Sequence, residues 1–283
     1  MKLLARLPLH QKIIYICITV LLVTVLAVAN NSCSSTDYDY VRFIDTPGGE
    51  CAIIHSRGHF ALIDTGSSLG SVATLKAVRE AKIKNFDAVI LTSASESHIG
   101  GAPAVLAEIP TDNVVLPHLS AGVSDITLDF VKEKAESVGA VCHKAQAGMV
   151  IEIGDFSLTV LQADNSGDSV NNASTVIMAE NDGRKILFTG NIEAEAEQRL
   201  QDRGINFNCD ILKVANSGGK NSTTQGFLNI ASPIYSVVSG DSIADRVALR
   251  LRSIGSKIYK LEDSGNLTFK VEDGNIVLEY VKV

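Results

Sequence analysis

No Cys-x-x-Cys pair occurs in these 283 residues, and the five cysteines, Cys17, Cys33, Cys51, Cys142 and Cys209, are scattered and odd in number. That excludes a disulfide framework and a thiolate metal site, leaving small buried hydrophobes as the plain reading. There is no excess of glycine or proline, 22 and 6 residues beside 46% apolar and 20% charged. Collagen-like, low-complexity and wholly disordered chains are therefore excluded. A second long apolar run is missing too, so a protein that crosses the membrane many times is excluded. Basic charge is scarce. The net charge is −7, and three of the 25 basic residues, Lys2, Arg6 and Lys12, precede the first acidic residue, Asp37. The rest of the chain then carries ten more acidic than basic groups, which repels phosphate backbones and makes nucleic acid an unexpected partner.

What is present begins with Ile13 to Ala29, IIYICITVLLVTVLAVA, whose only polar groups are the hydroxyls of Tyr15, Thr19 and Thr24. It is at the short end of a bilayer-spanning length. Basic residues precede it and none follows until Arg42. The positive-inside bias then predicts residues 1–12 in the cytoplasm, residues 13–29 as a transmembrane anchor and the body outside. A cleaved signal competes, because Ala27-Val28-Ala29 fits a small-x-small cleavage site and would release a secreted body. Residues 30–39 read as a polar tether.

From Tyr40 onward, short apolar runs alternate with amphipathic stretches. Val41 to Asp45, Cys51 to Ser56 and Phe60 to Asp64 read as strands separated by Thr46-Pro47-Gly48-Gly49 and Arg57-Gly58-His59. Helical spacing through Val72, Leu75, Val78 and Ile83 predicts a helix over 67–83. Asp87 to Ser93 is a buried-type strand before a Gly100-Gly101 helix start, and a further helix covers 126–138. Hairpins are predicted about Gly154-Asp155 and Asn181-Asp182-Gly183. Strands at 210–215 and 234–239 alternate with helices at 192–201, 223–230 and 243–254, and three strands close the chain. Hairpins and helices in both halves imply two sheets with helices outside them. No linker divides 40–283, which reads as one domain.

FIDTPGGECAII followed by FALIDTG, then LTSASESHIGG, NNASTVIM, ILFTGNIEAEAEQRL and CDILKVANSGGKNST, come in an order that resembles metallo-β-lactamase-fold proteins. The likeness is greatest to the extracellular hydrolase-like domain of the ComEC competence family. It implies an αββα sandwich and, in the family, metal-dependent hydrolysis with zinc or another divalent ion. It also implies which positions would carry that chemistry. The family's His-x-His-x-Asp-His run falls here on Ser93, Ser95, Ser97 and His98. Its bridging aspartate falls on Asn191, after Thr189-Gly190, and its paired histidines on Asn216 and Ser217. Asp64 and Gly66 match a position that supports the metal-binding loop, with Gly100, Gly101 and Gly190 as structural glycines.

One imidazole among those positions cannot assemble the roughly three protein ligands a catalytic zinc needs. Neither serine hydroxyls nor a neutral carboxamide restore the missing charge. The expectation is therefore no metal and no cofactor, and a pseudo-hydrolase that binds an unknown ligand or protein partner through a vestigial pocket. The alternative is an atypical, phosphodiesterase-like hydrolase using His98, whose ordinary pKa suits proton transfer. Asp64 is expected to cap the helix after Gly66 and to bond loop amides. Glu96 is the candidate to orient His98. His55, His59, His118 and His143 are expected on the surface or in turns.

Overall fold

The computed structural model describes residues 38–119, 126–163, 169–240 and 242–280. The predicted anchor, its Ala29 cleavage site, the tether as far as Asp37, Cys17 and Cys33 lie outside these residues. Among the described residues no helix is long and apolar enough to cross a membrane.

Eight strands make the first sheet. They are β1 Asp39–Phe43, β2 Ala52–Ser56, β3 His59–Ile63, β4 Phe86–Ile90, β5 Thr111–Leu116, β6 Val141–Lys144, β14 Leu267–Glu272 and β15 Asn275–Tyr280, in the order β15-β14-β1-β2-β3-β4-β5-β6. The second sheet holds β7 Val150–Ile153, β8 Phe156–Gln162, β9 Val176–Asn181, β10 Arg184–Phe188, β11 Ile211–Lys213, β12 Tyr235–Val238 and β13 Lys257–Lys260, in the order β13-β12-β11-β10-β9-β8-β7. β3 to β6 run parallel, and so do β10 to β13. Parallel neighbours need crossovers, and helices supply them. In the first half these are α1 Ser71–Glu80, α2 Glu96–Ile99, α3 Ala102–Glu108 and α4 Ile126–Ser137. In the second they are α5 Ala194–Asp202, α6 Gln225–Ala231 and α7 Asp245–Ser253, with a last turn, α8 Leu261–Ser264.

Burial follows the patterns. β2 lies among layers on both faces and is buried throughout, whereas β8 alternates buried and half-buried positions. One core, with Phe43, Phe156, Phe188 and Phe269, fills the space between the sheets; two more, around Phe86 and around Phe207 and Phe227, lie beneath the helices. The predicted αββα sandwich of two mixed sheets is what the chain forms.

Three local expectations differ. The first helix starts at Ser71, because Ser67 Oγ accepts from Gly70 N at 2.9 Å and holds 67–70 in a turn. Its inward residues are Thr74, Ala77 and Val78, and Val72 points to solvent. An extra turn, α2, precedes the glycine-started helix. β6 carries no apolar alternation because it is an exposed sheet edge, with Cys142 its most covered residue.

Candidate functional site

Parallel strands of both sheets deliver their carboxyl ends to one edge of the sandwich. From the first sheet come Asp64 after β3, Thr92 and Ser93 after β4, and His98 within α2. Glu50 arrives on the turn before β2. From the second sheet come Asn191 after β10, Lys213 at the end of β11, and Asn216 and Ser217 in the 3-10 turn Ala215–Gly218. Backbone bonds tie the loops together: Thr65 N to His98 O (2.8 Å), Gly66 N to Glu50 O (2.8 Å), Gly101 N to Gly66 O (3.0 Å), Glu50 N to Ser97 O (2.9 Å) and Asn216 N to Gly190 O (3.0 Å). Gly190 has φ +52°, and a Cβ there would lie 2.9 Å from that of Ser174. A Cβ on Gly101 would overlap Thr65 O. Gly100 is the C-cap of α2.

Asp64 organises the first half of the site. Its Oδ1 accepts from Thr92 N and its Oδ2 from Thr92 Oγ1, both at 2.7 Å, while His98 Nδ1 sits 2.8 Å from Oδ2. The expected helix cap is not made. The cap residue of α1 is Gly70, with no side-chain bond, and Asp64 turns to Thr92 and His98 instead. The single loop amide it accepts from is Thr92 N. Glu96 does not orient the histidine either; its carboxylate accepts from Ser68 N at the surface. His98 is fully buried. Burial alone disfavours its charged form, but the Asp64 and Glu50 carboxylates outweigh it and push the pKa up to about 9. Its Nε2 makes no well-formed hydrogen bond and faces Glu50 Oε2 at 3.9 Å, with the Asn191 side chain also favouring the charged ring.

Glu50 and Lys213 form the second half, and the sequence reading singled out neither. Lys213 Nζ lies 2.7 Å from Glu50 Oε1, and both side chains are about 95% buried, with relative exposures of 5% and 4%. Ser217 Oγ donates to the same oxygen at 3.3 Å. Burial alone would raise the Glu50 pKa, but the nearby Lys213 ammonium and His98, with the hydrogen bonds from Lys213 and Ser217, leave it below the ordinary carboxylate value. Two carboxylates thus meet an ammonium and an imidazolium. The four charges cancel. Where Glu50, Asp64 and Lys213 meet the core at Phe43 and Phe188, a cavity of about 10 Å³ remains, room for at most one water.

Above this quartet the predicted Ser and Asn positions form a neutral rim. Asn191 Nδ2 donates to Ser95 Oγ (2.9 Å), Ser95 and Ser97 hydroxyls lie 3.2 Å apart, and Ser95 N reaches Ser93 Oγ at 3.4 Å. Asn216 does not join them, because its amide is taken by Glu193 Oε1 at 3.3 Å. Of the other histidines, His55 is a correction. It is buried, stacked on Tyr40 at 4.9 Å between centroids and against Phe60 at 4.6 Å, because β2 is covered on both faces. His59 and His143 are exposed partners of Asp87 and Asn113, and His118 bonds Ala145 O.

Glu50, Asp64 and His98 place one ligand atom each within 4.8 Å of one another, which raises the metal that the fold implies. The donors do not fit it. Glu50 Oε1 is committed to Lys213, Asp64 Oδ2 to Thr92 and His98, and His98 Nδ1 to Asp64. Only His98 Nε2 and Glu50 Oε2 remain, one short of three protein ligands, with a fixed cation beside them.

No family model matches the chain. Among curated proteins it is 30% identical over 219 residues to "ComE operon protein 3" of Bacillus subtilis, covering 70% of this chain and 28% of that protein. It is 24% identical over 248 residues to "Competence protein ComA" of Neisseria gonorrhoeae, covering 84% and 33%. "Recombination protein 2" of Haemophilus influenzae is 27% identical over 209 residues, covering 70% and 24%. The chain thus spans about a third or less of these relatives. Among solved structures it is similar to the metallo-β-lactamase fold protein YhfI from Bacillus subtilis, at TM-score 0.54 and 13% identity over 79% of this chain and 96% of that one. CmlA from Streptomyces venezuelae, a diiron β-hydroxylase, matches at TM-score 0.55 and 11% identity over 83% and 55%. By sequence and by architecture together, the chain carries a metallo-β-lactamase fold and is a homologue of the hydrolase-like domain of the ComEC family.

Proposed function

We propose that this protein is a non-catalytic pseudo-hydrolase, a ComEC-like domain held outside the cell membrane that binds a ligand or a protein partner over the former metal pocket. The closed quartet carries the reading: Glu50 pairs with Lys213 and Asp64 with His98, and no reacting atom can reach His98, which has no exposed surface. A hydrolytic site needs a water activated by a metal or by a base that substrate can approach. What remains at the surface is the half-buried rim of Ser95, Ser97 and Ser217, with Asn216 beside it bonded to Glu193. Its hydroxyls and carboxamide suit an uncharged polar ligand. The apolar run at 13–29 behind Lys2, Arg6 and Lys12 supports a single anchor with the body outside, or release after cleavage near Ala29.

Elemental analysis of the untagged protein, dialysed against zinc or manganese, tests this together with phosphodiester and β-lactam hydrolysis. The expected result is a metal content far below stoichiometric and background rates, unchanged by His98→Ala. About one ion per chain, lost with a measurable activity in that variant, would establish the atypical hydrolase instead.

A further inference from the structure

β6 ends the first sheet. β5 pairs with one side of it, and among the described residues no strand pairs with the other. Just past the strand, Ala145 N donates to Leu116 O at the end of β5 (2.9 Å). Successive strand residues turn their N–H and C=O groups to opposite sides, so those of Cys142 and Lys144 point to the free edge. Both faces of that edge are open. Cys142 turns towards α4, its Sγ 4.0 Å from Lys132 O, beside a cavity of about 310 Å³ also lined by Leu128. His143 turns towards the second sheet, beside a cavity of about 260 Å³ lined by Val115, Met149 and Ile151. Apolar side chains stand exposed there, Val141 at 55% and Val150 of β7 at 51%. An unpaired edge of this kind is a template for a further strand, and alternate side chains of that strand would enter the two cavities.

We propose that β6 pairs with itself: two copies of this chain join β6 to β6, antiparallel about a two-fold axis, and the first sheet runs on into the second copy. A two-fold pair is isologous and sets one residue opposite itself. Centring the axis on Cys142 uses its outward N–H and C=O groups directly across the axis. It also lays each Val141 against His143 of the other copy, where the exposed valine covers the inner cavity. Lys144 then faces Ala140, so no like charges are opposed. Centring on His143 instead would oppose two imidazoles and leave the outward groups off the axis. The surface is therefore complementary to itself in one register. In that register the two Cys142 Cα atoms lie about 5.5 Å apart, inside the span of a disulfide, so the thiol reports the pairing.

The full chain is produced in cells with Cys17→Ser and Cys33→Ser, which leaves Cys142 beside the buried Cys51 and Cys209. Diamide is added; it takes up the two hydrogens of two thiols as the S–S bond forms. Non-reducing gels follow the product, and two differently tagged copies identify it. Cys142 should give a dimer of this chain at least about tenfold faster than Lys144→Cys in a Cys142→Ser background, because only opposed thiols are held at high effective concentration. Exposure alone predicts the reverse, since Lys144 is exposed and Cys142 half-covered. In the proposed register, however, the two positions 144 are separated by about 13 Å along the strands. Val141→Asp should slow Cys142 to the rate of Lys144→Cys. Equal rates at positions 142 and 144, a Val141→Asp chain that crosslinks like the parent, or a disulfide to a different protein would each overturn the proposal.

Discussion

Asp64 has φ +58°, a left-handed backbone that costs a residue with a Cβ about 1–2 kcal/mol. It persists because the side chain it aims holds Thr92 and His98 at once. Asp64→Ala should therefore destabilise the fold by about 3–5 kcal/mol, since a buried imidazolium and the Thr92 amide lose their acceptor; denaturant melts measure it, and a loss below about 1 kcal/mol, the scale of one ordinary hydrogen bond, would refute the role. His98 gives a pH signature. Its folded pKa, about 9, is raised above the ordinary 6.5, so the unfolded chain releases its proton first as the pH rises. The stability it contributes is full below 6.5 and is lost as the pH climbs through about 9. Midpoints measured from pH 6 to 10 should decline in the parent and decline less in His98→Gln; parallel curves would show that the ring is neutral. These two residues were legible in the sequence because they sit inside recognisable strings, LIDTG and SASESHIGG. Glu50 and Lys213 stood in equally visible strings, GGECAII and CDILKVANSGG, but nothing local marks a pairing between a turn of one sheet and a strand end of the other.

At the scale of elements, most strands and helices could be read because their apolar residues repeat at period two or near 3.6. The failures share a cause. β6, with only Cys142 half-covered, has no buried face to leave a pattern, and α2 is too short to have a period. One junction between elements went unread as well. Glu197 in α5 is fully buried and accepts from the backbone N–H groups of Thr223 and, at 2.8 Å, Thr224, just before α6. Thr224 then caps α6 by accepting from Phe227 N at 3.3 Å, and Phe227 stacks on Phe207 with centroids 4.9 Å apart. Glu197→Ala strands two N–H groups and should cost about 2–4 kcal/mol, against about 1 kcal/mol for Thr224→Ala. Urea titrations of both variants decide it, and the reverse ranking would assign the junction to the threonine cap alone.

For the whole molecule, the decisive fact is that polar contacts cross between the sheets where the strands end. Glu50–Lys213, Glu50–Ser217 and Ser95–Asn191 each join a loop of the first sheet to a strand end or loop of the second, above an interior filled by phenylalanines. The general architecture was legible from motif order. The site's chemistry was only half legible, because serines and asparagines at the family's ligand positions say little about which charged groups from the two sheets meet beneath them. Placement of the body relative to the membrane is the remaining large-scale expectation. Protease added to intact, wall-stripped cells should digest the body, and protection until lysis would reverse the orientation drawn from Lys2, Arg6 and Lys12.

The turn after β11 has a separate consequence. Asn216 and Ser217 both hold left-handed backbone, φ +50° and +48°, followed by Gly218 at +78°. Glycine would adopt that shape at lower cost; here it is held by the bonds of Asn216 to Gly190 and Glu193 and of Ser217 to Glu50. The resemblance to the family puts its paired histidines at these two positions. On the pseudo-hydrolase reading, imidazoles placed there would start from a backbone already bent, with no loop to rebuild.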